Sequence, residues 1–320
     1  MESEGTTAPW FNILRCVLFG ITAILIIGGN TVCLLVLRRV KKIHAVTRLF
    51  MASLAASDLL NGIFVTTPLI VSSAMDRWPY GEVACDIYGI GKYLCYYSGL
   101  FSLIAVTVER YIMVVAPLRY QHIVTIERAW KSLIGIWGLS IAIMILYGFG
   151  VNWKGEIDDE EDNCSLGVTN GDFWYYSVRY GELMFIVIPV LLVTVLYTHM
   201  WLKARHHIRG AGMDRTTEQR QADKSRQVNR KAVVTFLIVT TAFSVAWAPA
   251  ATRKLYKLIT GNSDTYYTEF IARMAMLTNS WLNLFIYYMR NSYFRETAKR
   301  YFRLYSRCCR RATPVVTPAS

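Results

Sequence analysis

Charge is scarce in this sequence. Only 18% of its 320 residues are Asp, Glu, Lys or Arg, against about 25% in ordinary soluble proteins. That shortage excludes the one or two soluble domains the length would otherwise allow. No internal repeat stands out, which argues against a transporter built from inverted halves. No spaced His/Asp/Glu metal cluster and no Ser/His arrangement occurs, so enzyme chemistry is not expected. The segment 1–12 is too short to bury a core of its own, so no folded extracellular domain is expected before the first apolar run. That run is too long for a secretory signal and lacks a small-residue cleavage site after it.

Apolar residues are abundant, at 54%. Seven runs reach the roughly 20 residues needed to cross a bilayer: Leu14–Leu37, Leu49–Met75, Val83–Val115, Trp130–Val151, Trp174–Trp201, Ala232–Leu255 and Phe270–Met289. They contain Pro68, Pro189 and Pro249, which a membrane tolerates because neighbouring helices and waters satisfy the freed carbonyls. The net charge of +13 would suggest a nucleic-acid partner in a soluble protein. Here 25 of the 35 Lys and Arg fall in alternate connecting segments and the tail, while Glu156 and Asp158–Asp162 crowd the opposite side. Positive segments stay cytoplasmic, so the N-terminus is expected outside and the C-terminus inside, with no nucleic-acid partner. The expected organisation is a short extracellular N-terminus (1–12), a seven-helix membrane domain (13–289) and a cytoplasmic tail (290–320), within an all-α fold. In the tail, Asn291–Tyr305 places Phe294, Ala298, Tyr301 and Phe302 opposite Arg and Lys, the pattern of a helix lying on the membrane surface.

The seven cysteines sort by compartment. Cys16, Cys33 and Cys95 sit inside apolar runs as small buried hydrophobes. Cys85 heads the third run and Cys164 lies in the acidic loop, both in the oxidising exterior, where they are the two well placed to pair. Cys308 and Cys309, flanked by arginines, read as palmitoylation sites or as unmodified thiols.

Ionisable residues inside a span carry functional hypotheses. Asp58 lies in the second run, with Asn30, Asn279, Ser280 and Asn283 available as partners. A carboxylate ringed by amides and hydroxyls can hold a hydrated sodium ion or a proton. The third run closes on Glu109-Arg110-Tyr111, followed by Ala116-Pro117-Leu118.

With Gly29-Asn30, Leu54–Asp58, Trp137, Pro189 with Tyr197, Phe243 with Trp247-Ala248-Pro249, and Asn283-Leu-Phe-Ile-Tyr287, the chain resembles the class A, rhodopsin-like G-protein-coupled receptors over almost its whole length. The resemblance implies a plasma-membrane receptor that binds an extracellular small molecule or peptide and drives nucleotide exchange on a heterotrimeric G protein. Receptor kinase, arrestin and membrane lipid are the further partners implied. No cofactor is expected beyond a sodium ion at Asp58 as an allosteric ligand. Glu109, Arg110, Tyr111, Pro189, Tyr197, Phe243, Trp247, Pro249 and Tyr287 take the family's switch positions, with Arg110 and Leu118 as G-protein contacts. Glu109 is expected to hold Arg110 at rest.

Four positions depart from the family pattern. Leu284 replaces the seventh-span Pro, Ala246 the Cys before Trp247, and Gly99 the Ser that faces Asp58. Asn229 stands where many members carry an acid that clamps Arg110, which implies raised basal signalling. Lys92 occupies the place of the aminergic Asp, so a simple monoamine ligand is not expected. Leu277 replaces the opsin Lys that tethers retinal.

Helical phase puts Lys92, Tyr93, Tyr96, Glu182, Phe185, Trp247, Lys254, Arg273 and Leu277 in the upper half of the bundle. Two readings stand: Lys92 pairs with Glu182 while the other cations reach outward, or a ligand anion completes the charge balance at Lys92 and Arg273. Short-peptide and constitutively active receptors are the alternatives within the family; a transporter or channel is the alternative outside it.

Overall fold

The computed structural model describes residues 8–151, 154–158, 163–167, 217–260 and 265–312, and 180–200 apart from 182, 185, 186, 193 and 197. At 147–151, 154–158, 163, 165–167, 217–233, 235–236, 239–240 and 304–312 it describes backbone alone. The helices are α1 (Pro9–Arg39), α2 (Ala45–Met75), α3 (Gly81–Val115), α4 (Ile126–Val151), α5 (Val187–Met200), α6 (Thr217–Thr260), α7 (Tyr266–Arg290) and α8 (Ser292–Ala312). Among the described residues, α1, α2, α3 and the Ile126–Leu146 part of α4 are long and apolar enough to cross a membrane. The described part of each of the seven expected runs is helical.

Three boundaries differ from expectation. Helix α1 starts at Pro9 rather than Leu14, because Phe11 is buried against Tyr267 (4.8 Å) and Phe270 (5.4 Å) of α7. Proline at the first turn costs nothing, since its missing N–H has no helical acceptor there. The acidic loop forms a hairpin, β1 (Lys154–Asp158) antiparallel to β2 (Asn163–Gly167), with Ile157 opposite Cys164. Its acidic residues are poor strand formers and hide the signal. Helix α8 runs to Ala312, past the expected end at Tyr305.

Helix α2 shows how a span absorbs a proline. Gly62–Thr66 form a π-helical turn immediately before Thr67-Pro68. The hydroxyl of Thr67 donates to the Gly62 carbonyl at 2.9 Å and that of Thr66 to the Asn61 carbonyl at 3.3 Å. The Gly62 carbonyl also accepts the Thr67 backbone N–H, so the side-chain bonds reinforce the wide turn that precedes the proline.

Two apolar cores stack along the bundle. One contains Val36, Leu54, Leu103, Phe243, Tyr287 and Phe294; the other contains Phe19, Ile26, Leu69, Cys85, Tyr88 and Leu277. On α1, α2 and α7 the residues between them in sequence are buried and polar: Asn30; Asp58 and Asn61; Ser280 and Asn283. The polar belt lies where the two cores meet.

Candidate functional site

Within the belt, Asn283 Nδ2 donates to Asp58 Oδ2 at 3.0 Å and Asn61 Nδ2 to Ser280 Oγ at 3.2 Å. Asn30 Nδ2 reaches the Ser280 and Ile26 carbonyls, both at 2.9 Å, tying α1 to α7. A cavity of about 30 Å³ opens among Asp58, Asn61, Asn279, Ser280 and Asn283, with Phe243 and Trp247 on its wall. That exceeds the roughly 10–15 Å³ one water needs. Asn61 Oδ1 is buried and lacks a hydrogen-bond partner among the described residues. The donor set therefore fits a small hydrated cation.

At one end of α3, Arg110 Nε lies 3.1 Å from Glu109 Oε2. Thr47 Oγ1 donates to Glu109 Oε1 at 2.8 Å and accepts from Arg110 Nη2 at 2.7 Å. Tyr120, from a single helical turn at Tyr120–Ile123, donates to the same carboxylate oxygen of Glu109. Glu109 and Arg110 are both buried, so the pair meets the requirement that buried charges be matched and hydrogen-bonded. Burial and the Glu109 charge hold the Tyr120 phenol above its usual range; it stays a donor. Tyr111 packs on His199 of α5, ring centroids 5.6 Å apart.

At the other end, Cys85 and Cys164 form a disulfide that fixes the hairpin to the start of α3. Below it Lys92 Nζ lies over the rings of Tyr93 (5.2 Å) and Tyr88 (5.6 Å). Tyr96 meets Trp247 edge-on at 5.4 Å, and Trp247 stacks on Phe243 at 5.3 Å. An aromatic chain thus runs from Lys92 to the cavity beside Asp58.

The model of the 7 transmembrane receptor (rhodopsin family) matches residues 29–287. The chain belongs to the rhodopsin family of seven-transmembrane receptors. It is 28% identical to trace amine-associated receptor 6 of Mus musculus, over 91% of this chain and 86% of that one. It is 27% identical to the alpha-1A adrenergic receptor of Mus musculus, and 28% identical to neuropeptide FF receptor 1 of Rattus norvegicus. Those two matches cover 72% and 70% of this chain but about half of each relative, 50% and 53%. The crystal structure of squid rhodopsin superposes with a TM-score of 0.81 at 19% identity, covering 95% of this chain and 89% of that one, a likeness of fold.

Two charged residues not singled out in the sequence, Glu269 and Arg253, join Arg273 at this end. Arg273 donates to Glu269, one turn earlier on α7, and Arg253 Nη2 of α6 reaches the other oxygen of Glu269 at 2.6 Å. The expected fork of Arg273 is thus already engaged with a carboxylate. Glu269 sits in the first turn of α7, where an acid suits the helix dipole and gives no sign of a site. Lys92, Tyr93, Tyr96, Trp247, Lys254 and Arg273 are half-buried and Leu277 is buried. Glu182, Phe185 and Tyr197 lie outside the described residues, as do the side chains of Asn229, Cys308 and Cys309.

Two departures from the family pattern find a steric reason. A Cβ on Gly99 would lie 3.3 Å from Ser57 Oγ, so glycine lets α3 approach α2 there. Leu284 packs toward Gly29 of α1, where an added Cβ would meet its Cδ2 at 3.3 Å, and α7 continues through it unbroken. Pro189 and Tyr287 are buried, Pro249 is half-buried within α6, and Leu118 stands 94% exposed. No sequence signal marks Thr47 or Tyr120 as part of the site. Tyr120 is eleven residues from Glu109, and a helical period does not carry across the turn at Ala116-Pro117.

Proposed function

We propose that this receptor converts binding of an extracellular ligand in the chamber beneath the disulfide into nucleotide exchange on a heterotrimeric G protein at the far end of α3. The observation that carries the reading is the buried Glu109–Arg110 pair held by Thr47 and Tyr120. It stands at the opposite end of α3 from Lys92, with the level of the polar belt between. In this reading the N-terminus is outside, α8 lies on the inner leaflet, and release of Arg110 exposes the coupling surface. Kinase and arrestin would act on that same face.

The ligand class is a carboxylate-bearing small molecule, or a short peptide with an acidic group. Among the described residues Lys92, Lys254, Arg253 and Arg273 are half-buried at the upper ends of α3, α6 and α7, with Asp86 and Glu269 as half-buried acids there. Cationic side chains favour an anionic partner, and arginine favours a planar one. The similarity to a neuropeptide FF receptor supports the peptide variant. A ligand library read through a promiscuous G-protein reporter tests this on wild type, Lys92→Glu and Arg273→Glu. Acidic agonists should lose potency in both variants while surface expression holds. An amine agonist that gains potency in Lys92→Glu would sink the assignment.

Asp58, Asn61, Ser280 and Asn283 would hold a sodium ion as an allosteric ligand, and Gly99 contributes no side-chain oxygen to it. Replacing sodium by choline should shift agonist affinity in wild type and leave Asp58→Asn unmoved; equal shifts would exclude the site.

A further inference from the structure

An open groove of about 530 Å³ runs between α3 and α4 and ends at the loop that joins them. Ile104, Val108 and Ile112 line it from α3, and Gly135, Ile136 and Leu139 from α4. Ile104, Val108 and Ile112 are four apart, and Ser132, Ile136 and Leu139 four and three apart, so each set is one helix face. Gly135 leaves a notch, since a Cβ built there meets nothing within 4 Å. The polar lining gathers at one end, with Thr125, Arg128 and Ser132. Glu109 also borders the groove, but its carboxylate is taken by Arg110, Thr47 and Tyr120.

Length and charge identify the occupant. From Arg128 to Leu139 is eleven residues, roughly 16 Å at about 1.5 Å per residue. A hydrocarbon core is about 30 Å thick, so the apolar part of the groove spans a single leaflet. At its mouth Arg128 Nη1 donates to the carbonyls of His122 (2.9 Å) and Ile123 (3.0 Å). Those bonds hold the guanidinium at the groove end and use only some of its five donors. Trp130, two residues on, is 53% exposed, the place of an aromatic at the headgroup level. The other nearby cation on α4, Lys131, is paired with Glu127 at 2.6 Å on the exposed face.

We infer that this groove binds an anionic phospholipid of the inner leaflet, its acyl chain between α3 and α4 and its headgroup phosphate on Arg128. The sidedness rests on the proposed topology; the site itself does not depend on coupling. It is separate from the ligand chamber and from α8. The bound chain lies against Ile112 and Ile123, which flank the Glu109–Tyr120 contact.

The test uses the full chain in lipid nanodiscs, with phosphatidylserine or phosphatidylcholine carrying a photoreactive acyl chain. After irradiation, label from phosphatidylserine should concentrate on peptides containing Ile104–Ile112 and Ser132–Leu139. Arg128→Gln should lower phosphatidylserine labelling there roughly threefold, the size expected of one partly exposed charge pair, and leave phosphatidylcholine labelling unchanged. Gly135→Leu, whose Cβ meets nothing within 4 Å, fills the notch and should lower both. Thermal unfolding of each variant confirms that it folds. Label spread evenly over outward residues beyond these peptides, such as Ile141 and Leu146, or equal labelling by the two lipids, overturns the proposal. Preferential labelling of the same peptides by a photoreactive sterol also overturns it.

Discussion

Glu109 brings a full negative charge into a nearly dry site, and the side chains around it determine what that costs. Arg110 supplies the countercharge, while Thr47 and Tyr120 donate to the carboxylate. Hydrogen bonds to a charged acceptor contribute about 1.5–3 kcal/mol each, more than neutral ones. Tyr120→Phe removes one such bond and little volume. It should lower the unfolding temperature of the purified receptor and raise basal nucleotide exchange several-fold, as a shift of that size does in a two-state population. Thr47→Val should do the same through both members of the pair. The pH dependence follows from the direction of the Tyr120 shift. Its folded pKa lies above the ordinary tyrosine value, which is about 10. Its contribution is therefore complete below that value and fades only as pH rises through the folded one. The stability gap between wild type and Tyr120→Phe should be flat from about pH 6 to 9. A gap that closes within that window means the phenol is not the donor.

Helix α1 docks on α2 at the π turn, where Gly62 puts no side chain in the way. A Cβ on Gly62 would lie 2.7 Å from Ile26 Cγ2 and 2.9 Å from Ile27 Cγ1. Ile26 is completely buried and β-branched, so its methyl has one accessible rotamer in a helix and cannot swing aside. Gly62→Ala should destabilise by about 1–3 kcal/mol through overpacking, outweighing the up to about 1 kcal/mol that alanine gains in a helix. In a double-mutant cycle, Ile26→Ala should cost less in the Gly62→Ala background; strict additivity would mean the clash relaxes elsewhere. The same helices mark what sequence can reveal at this scale. The long apolar runs of α1 to α4 declare themselves, because lipid demands about twenty apolar residues in a row. The hairpin is hidden by its acids, and the start of α1 by the drop in hydrophobicity at Asn12 and Arg15. Arg15 is buried at that end and pairs with Asp76 at 2.8 Å, a contact across 61 residues that no local pattern predicts. Glu269 and Arg253 escape notice for the same reason. Asp58 is legible because a carboxylate amid apolar residues is costly in a span unless the bundle supplies partners and a use for it.

Across the whole molecule, the belt separates two cores that could each hold together while the other shifts. Trp247 packs on the core that contains Phe243 and Tyr287, so the aromatic chain from Tyr96 meets the coupling-side core directly. The coupling end adds one residue that packing does not explain. Leu118 is 94% exposed, between the last turn of α3 and the turn that carries Tyr120. An exposed leucine alone means little. This one lies two residues from the phenol that donates to Glu109, so a partner seating Leu118 would pull on the contact that holds Arg110. Burying it is worth roughly 1.5–3 kcal/mol, or about a tenfold to hundredfold change in affinity. Leu118→Ala should therefore weaken G-protein coupling by about tenfold or more, read as agonist-stimulated nucleotide exchange against G-protein concentration. Agonist affinity without G protein should stay as in wild type, because Leu118 touches neither the belt nor the chamber. Combined with Tyr120→Phe, the two effects should be less than additive, since seating Leu118 gains less once the tyrosine no longer tethers Glu109. An unchanged exchange curve for Leu118→Ala would remove this loop from the coupling surface, whatever the ion pair does.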